Sequence, residues 1–188
     1  MRQPTLYLLV GYPGSGKTTT SRTIHELTGA AHIWADHERQ VMFGQPTHSP
    51  TESEQLYTTL NTRTADILSR GEDVVFDTNF SFLSDRNKLR QIATQAGAQV
   101  KLLWVRVAPE LARERATADH HAEGNGYDNT MTPETFDRIV SHLEPPTDDE
   151  QPVLLDGTQI TPEYITVKLN LAPPADTGTP TSDEVATA

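Results

Sequence analysis

Short apolar runs alternate with helical patterns along the first 170 residues of the chain. The apolar runs that predict strands cover residues 5–10, 31–34, 73–77, 99–107 and 153–155. Between them, Ser49-Pro50-Thr51-Glu52 has the spacing of a capping box and predicts a helix over 50–69. Pro109, Pro133 and Pro162 each stand where a first helical turn begins. Strands that alternate with helices in this way predict an α/β domain built on a parallel sheet.

Two stretches lack this alternation. Residues 119–129, which include Gly124-Asn125-Gly126, show no periodicity and are interpreted as a mobile loop. From Ala172 onward Pro, Thr, Asp, Ser and Ala dominate, and no large apolar residue is available for burial. We therefore predict one domain over 1–171, with a small lid at about 109–145, followed by a disordered tail over 172–188.

The amino-acid composition limits the kinds of partner that the protein is expected to bind. The 188 residues contain 15 Lys+Arg against 26 Asp+Glu, a net charge of −11, and no cysteine. Nucleic-acid backbones are bound through Lys and Arg, so an extended nucleic-acid surface is not expected. The absence of cysteine excludes disulfides and thiolate nucleophiles. No apolar run approaches the roughly 20 residues that span a bilayer, so a cytoplasmic protein without a membrane partner is predicted.

The clearest motif follows the first strand. Residues 11–18 read Gly-Tyr-Pro-Gly-Ser-Gly-Lys-Thr, which matches the pattern G-x-x-x-x-G-K-[ST]. Glycines let successive backbone N–H groups face one phosphate, and the following helix adds the positive end of its dipole. Lys17 would bridge the β- and γ-phosphates, and Thr18 would offer its hydroxyl to Mg²⁺. The predicted nucleoside-triphosphate site comprises Gly11, Pro13, Gly14, Ser15, Gly16, Lys17, Thr18 and Thr19.

The chain length and the remaining motifs indicate which class of nucleotide-binding protein this sequence fits. Asn87-Lys88-Leu89-Arg90 lacks the acidic residue of the guanine-reading pattern N-K-x-D. Motor ATPases of the AAA+ type usually need a longer chain with a helical second domain. A compact P-loop kinase that uses ATP and Mg²⁺ fits this length best.

A carboxylate and a guanidinium follow the second strand, at the sheet edge where doubly wound folds bind ligands. Asp36 and Arg39 are three residues apart and share a face if their segment is helical. Asp36 could then accept the proton of an incoming hydroxyl, while Arg39 orients a phosphate or the nucleophile. From spacing alone, a capping aspartate with a surface ion pair explains the two residues equally well.

Five more residues are candidates for the site. Asp77 ends the third strand, where it could hold a magnesium-bound water or a substrate group, or cap the next turn. Asn79 and Arg86 could position the substrate, although Arg86 could also be a plain surface arginine. Arg113 and Arg115 precede the glycine-containing loop, and only one of them can face inward because positions i and i+2 diverge on a helix. Arg113 is the first choice as the residue that stabilises the transferred phosphoryl group, with Arg115 the alternative at the nucleotide. A purely structural role for either arginine stays open.

The phosphate loop, Asp36-x-x-Arg39 and Asp77-Thr78-Asn79 together resemble the polynucleotide 5′-kinase-like P-loop kinases. This group shares its fold with zeta toxins and several small-molecule kinases. The resemblance covers about residues 5–160 and includes Asp156-Gly157-Thr158, which places Gly157 and Thr158 at the nucleotide. It implies a three-layer P-loop NTPase fold with a five-stranded parallel sheet ordered 2-3-1-4-5. It also implies ATP·Mg²⁺-dependent phosphorylation of a hydroxyl, with Asp36 as general base and Arg39 as the substrate-orienting residue.

The sequence does not decide between several acceptors of the phosphoryl group. The motifs favour a 5′-hydroxyl nucleic-acid end, whereas the acidic composition favours a small molecule or a short single strand. A zeta-toxin-like enzyme would phosphorylate a nucleotide sugar. The alternative from another class is an ATP-binding or ATP-hydrolysing regulatory module without kinase activity.

Overall fold

The computed structural model describes residues 2–118 and 131–172. The predicted loop at 119–129 and all of the predicted tail except Ala172 lie outside these residues. Within the described ranges, no helix is both long and apolar enough to cross a bilayer.

Five parallel strands form one sheet in the order β2-β3-β1-β4-β5. The strands are β1 (Thr5–Val10), β2 (Ala31–Trp34), β3 (Val74–Asp77), β4 (Gln99–Arg106) and β5 (Val153–Asp156). The predicted order 2-3-1-4-5 is therefore confirmed. Since every paired strand runs in the same direction, all five carboxyl ends lie at one edge of the sheet.

The part of the chain that the structure describes contains seven α-helices: α1 (Lys17–Thr28), α2 (Ala35–Phe43), α3 (Pro50–Ser69), α4 (Leu83–Gln95), α5 (Pro109–Thr117), α6 (Pro133–Ser141) and α7 (Pro162–Leu169). Three of them begin as their sequences predict, with proline in the first turn and a hydroxyl cap. The side-chain oxygens of Ser49, Thr132 and Thr161 each accept a hydrogen bond from a backbone N–H three residues later. A 3₁₀ turn at Asp148–Glu150 leads into β5.

Alternate residues of β1 face opposite sides of the sheet and build two cores. Leu6, Leu8 and Val10 pack into a core whose helical residues come mainly from α3 and α4. Tyr7 and Leu9 pack into the other core, together with residues of α1 and α7. All of β1 is buried. The loop that follows this central strand therefore begins in the middle of the sheet edge, between the two helical layers.

Candidate active site

The three glycines of the loop between β1 and α1 all have positive φ values, which favour glycine. Gly14 has φ +76° and Gly16 has φ +102°, in the left-handed half of the φ range. A Cβ on Gly14 would also lie 2.2 Å from the carbonyl oxygen of Ala112 in α5. The loop closes on itself through a hydrogen bond from the Ser15 N–H to the Tyr12 carbonyl, 3.1 Å long. These constraints give the backbone the curled form of an anion nest.

Helix α1 begins at the end of this nest. The N–H groups of its first turn have no acceptor within the helix, and the earliest regular bond runs from Thr20 N to Gly16 O at 2.9 Å. Among the described residues no side chain caps this terminus. The positive end of the helix dipole therefore faces the cleft together with uncapped donors, which is the arrangement that binds phosphate.

Lys17 lies under the loop. Its Nζ donates to the carbonyl oxygens of Gly11 at 2.9 Å and Tyr12 at 2.8 Å. Burial lowers the pKa of Lys17 to about 8, although the nearby carboxylates of Asp77 and Asp36 act in the opposite direction. Burial thus disfavours the charged form of the Lys17 side chain. A phosphate group bound in the nest would favour that charged form again.

Thr18 and Asp77 present the oxygen atoms that a magnesium ion needs. The hydroxyls of Thr20 and Thr23 bond back to carbonyls of their own helix, whereas Thr18 makes no side-chain hydrogen bond in the described part of the chain. Asp77 is 3% exposed, and its Oδ2 has no hydrogen-bond partner there. His32 Nε2 lies 3.4 Å from this oxygen. A buried carboxylate oxygen that has only this contact with His32, and a hydroxyl without a side-chain hydrogen bond, both fit a hard cation or its bound water.

Asp36 lies in the first turn of α2, which begins directly after β2 without a loop. The β2 residue Trp34 is in register with Asp77 at the end of β3, so both carboxylates reach the same sheet edge. The Asp36 carboxylate is open to the cleft. Even so, partial desolvation by the surrounding walls raises its pKa, the charge of Asp77 adds to this, and Lys17 opposes it.

The structure brings most of the predicted residues around one cavity of about 600 Å³. Its lining comprises Pro13, Gly14, Gly16, Lys17, Thr18, Thr19, Asp36, Asp77, Thr78, Asn79, Arg115, Ala116, Met131, Gly157, Thr158 and Ile160. Met131 and Ile160 were not predicted, because they are single apolar residues outside any motif. A more open groove of about 700 Å³ lies along α3 and contains none of the predicted residues.

Arg115, and not Arg113, faces this cavity. Its Nη1 donates to the carbonyl oxygen of Gly157 at 3.2 Å. Arg113 is exposed, and its Nη2 lies 3.1 Å from the Asp137 carboxylate in α6. The choice of Arg113 as the inward-facing arginine is therefore wrong. The contact of Gly14 with the backbone of Ala112 determines which side of α5 meets the phosphate loop.

Arg39 also differs from its predicted position beside the acceptor. It is 6% exposed, and its Nη1 donates to Glu52 Oε1 at 2.7 Å. Burial raises the pKa of Glu52, but the hydrogen bonds from Arg39 and Thr47 outweigh it and hold that pKa at about 2. Although Asp36 and Arg39 are three residues apart, the ion pair turns the guanidinium toward α3. Arg39 thus joins α2 to α3 and does not line the cleft.

Arg86 was predicted to reach an anionic substrate, and the structure corrects this as well. It is 1% exposed and forms two hydrogen bonds with the carboxylate of Glu150, each 2.7 Å long. It also donates to the carbonyl oxygens of Phe80 and Glu144. This network connects α4 to the segment that leads into β5, so Arg86 has a structural role.

Gly157 supports the phosphate loop from the β5 side. A Cβ on this residue would lie 1.9 Å from the carbonyl oxygen of Ser15. The neighbouring Thr158 is held by Asp156, whose Oδ1 accepts from the Thr158 N–H at 2.9 Å and from its hydroxyl at 2.6 Å. The turn after β5 therefore packs its backbone directly against the nest.

A central strand, an anion nest and a carboxylate-lined cleft in a 2-3-1-4-5 parallel sheet define the P-loop kinase fold. Residues 6–146 match the family AAA_33, described as an AAA domain, and the chain belongs to this family. No curated protein sequence matches the chain at a significant level.

Solved structures share this fold at low sequence identity. A protein of Chloroflexus aurantiacus has 20% identity and a TM-score of 0.70, covering 90% of this chain and 98% of that one. A gluconokinase from Sinorhizobium meliloti has 23% identity and a TM-score of 0.64, with coverages of 90% and 92%. A chain of the Pnkp1/Rnl/Hen1 RNA repair complex has 22% identity and a TM-score of 0.63, with coverages of 80% and 46%. The predicted P-loop kinase fold is confirmed.

Proposed function

We propose that the protein is a phosphotransferase that moves the γ-phosphoryl group of ATP to a hydroxyl group of an acceptor, with Asp36 as general base. One observation carries this proposal: the Asp36 carboxylate lines the same cavity as the phosphate nest and Lys17. A nucleotide-binding module needs the nest alone. A kinase also needs a proton acceptor beside the phosphate that is transferred.

The triphosphate of ATP fits the uncapped first turn of α1 and the ammonium group of Lys17. Thr18 and Asp77 are the residues that would hold Mg²⁺, which when bound neutralises charge on the phosphate oxygens. Arg115 reaches the cleft from α5 and takes the role first given to Arg113, that of stabilising charge on the transferred group.

In the proposed reaction the acceptor hydroxyl oxygen attacks the γ-phosphorus while its proton passes to the Asp36 carboxylate. The bond from the γ-phosphorus to the bridging oxygen breaks, and ADP leaves with that electron pair. Desolvation and the charge of Asp77 raise the pKa of Asp36, so this carboxylate is more basic than an ordinary aspartate. A more basic carboxylate is a better proton acceptor as long as it is still ionised at working pH.

Replacement of Asp36 by asparagine tests the assignment of the base. Asp36→Asn should keep ATP affinity within about a factor of two, yet lower transfer of radiolabelled phosphate by about 10²–10⁴-fold. The matched control is Glu38→Gln on the same helix, because Glu38 forms a partly exposed ion pair with Arg63. This control should leave both quantities unchanged.

Two results would contradict the proposal. Full transfer activity in Asp36→Asn would exclude Asp36 as the base. If the label from ATP appears only as free phosphate with every hydroxyl acceptor offered, the protein is a hydrolytic module and not a kinase.

A further inference from the structure

A smaller cavity of about 250 Å³ adjoins the nucleotide cleft. The two cavities share Thr78 and Asn79, which follow β3 at the sheet edge. Its other walls come from α3, from residues 80–82 and from the first two turns of α4. A molecule bound there would lie next to the phosphate-binding cleft without entering the nest.

Asn61 of α3 points to a ligand in this smaller cavity. The residue is 8% exposed and lines the cavity, and its Oδ1 has no hydrogen-bond partner among residues 2–118 and 131–172. Buried carboxamides are normally paired, because an unpaired buried polar atom destabilises the fold. A hydroxyl group can pair with either atom of a carboxamide, since it both donates and accepts.

Tyr57 connects the cavity to the proposed base. Its hydroxyl lies 2.9 Å from the Thr78 hydroxyl. Burial raises the pKa of Tyr57, and the charges of Asp36 and Asp85 also raise it against the effect of the Thr78 hydrogen bond. The phenol therefore stays protonated at neutral pH, and it lies within the electrostatic reach of both Asp36 and Asp85.

The size of the cavity limits what can bind. A volume of about 250 Å³ lies below the roughly 300–1,000 Å³ that is typical of sites for drug-sized ligands. That space accommodates a monosaccharide-sized molecule and is small for a nucleotide with its base. The rings of Phe80 and Phe82 provide apolar surface beside the polar groups, as C–H faces of a sugar require.

The charges at this cavity do not favour the end of a nucleic acid. Asp85 and Lys88, one turn apart on α4, contribute one charge of each sign. The two arginines predicted to contact an anionic substrate are instead paired with carboxylates, Arg39 with Glu52 and Arg86 with Glu150. A polynucleotide needs cations along its backbone, whereas Lys88 can pair with at most a single carboxylate of a small molecule.

We propose that this cavity is the acceptor subsite and that the acceptor is a small polyhydroxylated molecule: a sugar, a polyol or a sugar acid. Asn61 and Tyr57 bind its hydroxyl groups, and one further hydroxyl passes between Thr78 and Asn79 toward Asp36. The inference rests on the proposed kinase function, because it identifies the acceptor of that same reaction.

The test measures binding of named probes to the full chain without nucleotide. The probes are D-glucose, D-ribose, D-mannitol, D-gluconate and a short oligonucleotide with a 5′-hydroxyl, each titrated by calorimetry. At least one of the four small probes should bind, and Asn61→Leu should weaken it by about tenfold or more, as expected when a buried hydrogen bond is lost. Tyr57→Phe, which keeps the ring, provides a second variant in case Asn61→Leu does not fold. Affinity for ATP should be unchanged in both.

Asn87→Leu is the matched control, since Asn87 is an exposed α4 asparagine outside this cavity. It should change neither sugar nor ATP affinity. The inference is overturned if the protein binds ATP but none of the four small probes, or if phosphate is transferred to the oligonucleotide alone.

A different result separates this inference from the proposed function. Binding of a small probe that depends on Asn61, without phosphate transfer to any hydroxyl acceptor, supports a binding site for small polyhydroxylated molecules in this cavity. The same result rejects the kinase and with it the assignment of the cavity as an acceptor subsite. Phosphate transfer to the oligonucleotide alone supports the proposed kinase function. It rejects the assignment of this cavity as the acceptor subsite.

Discussion

Gly157 holds the turn after β5 against the phosphate loop, so a methyl group at this position should disturb nucleotide binding from outside the nest. In Gly157→Ala the new Cβ would lie 1.9 Å from Ser15 O and 2.8 Å from Val107 Cγ1. Uncrowded van der Waals contact begins at 3.4 Å, so the turn and the loop must separate by 3.4 − 1.9 = 1.5 Å. The neighbour is backbone and cannot rotate away as a flexible side chain would.

A displacement of this size has a large expected effect on function and a moderate one on stability. Misplacement by about 1 Å can cost roughly 10²-fold in activity, so we expect ATP affinity to fall by about 10- to 100-fold. Overpacking costs about 1–3 kcal/mol. At roughly 2–4 °C per kcal/mol for a chain of this size, Tm should fall by about 2–12 °C.

Gly71→Ala controls for loss of stability alone. Gly71 has φ +80°, and a Cβ there would meet nothing within 4 Å. The substitution costs about 1–2 kcal/mol in backbone strain, so Tm falls while ATP affinity stays at the wild-type value. Both quantities are measured by thermal unfolding and by titration with a fluorescent ATP analogue. Wild-type ATP affinity in a folded Gly157→Ala protein would refute the reasoning that this turn supports the nest.

The remaining predictions concern charged groups. Burial lowers the pKa of Lys17 to about 8, so ATP binding at about pH 8.5 should take up about three-quarters of a proton as the lysine is recharged. Calorimetry in buffers of different ionisation enthalpy measures this uptake, which should vanish in Lys17→Arg. Arg115→Ala should lower kcat by about 10²-fold or more, whereas Arg113→Ala should leave it unchanged; equal losses would reject the assignment. Arg86→Ala should cost about 1.5–3 kcal/mol in denaturant unfolding, because it removes two buried hydrogen bonds to Glu150 while the ion pair of Glu150 with Arg90 stays. A loss below about 1 kcal/mol would mean that the pair contributes no more than a surface ion pair.

Features with a local physical cause were predictable from the chain. The bounds of β1, β2 and α3 agree with the predicted ones, because apolar runs define the two strands and Ser49 with Pro50 begins the helix. The phosphate loop was equally accessible, since its glycines and Lys17 are consecutive in sequence and need no distant partner. The 2-3-1-4-5 order came from the family resemblance, because strand spacing alone does not specify it.

The positions of the arginines depended on tertiary structure. Arg39 and Arg86 meet carboxylates 13 and 64 residues away in sequence, and helical spacing carries no information about such partners. A buried guanidinium requires a paired carboxylate. The position of that carboxylate, and not the helix face that carries the arginine, therefore decides where the side chain points. For Arg113 and Arg115, spacing indicated that only one could face inward, but the packing of Gly14 against α5 selected which one.

By itself, then, the sequence determined the strands, most helix starts and the phosphate-binding loop, because each depends on neighbours a few residues apart. Tertiary structure alone decided which charges face the cleft and brought Tyr57 and Asn61 of α3 beside Thr78 and Asn79. Asn61 stands in an ordinary helical sequence without a motif. The role proposed for Asn61 depends on its buried Oδ1, which has no hydrogen-bond partner in the described ranges, and this burial exists only once α3, α4 and the end of β3 enclose a cavity.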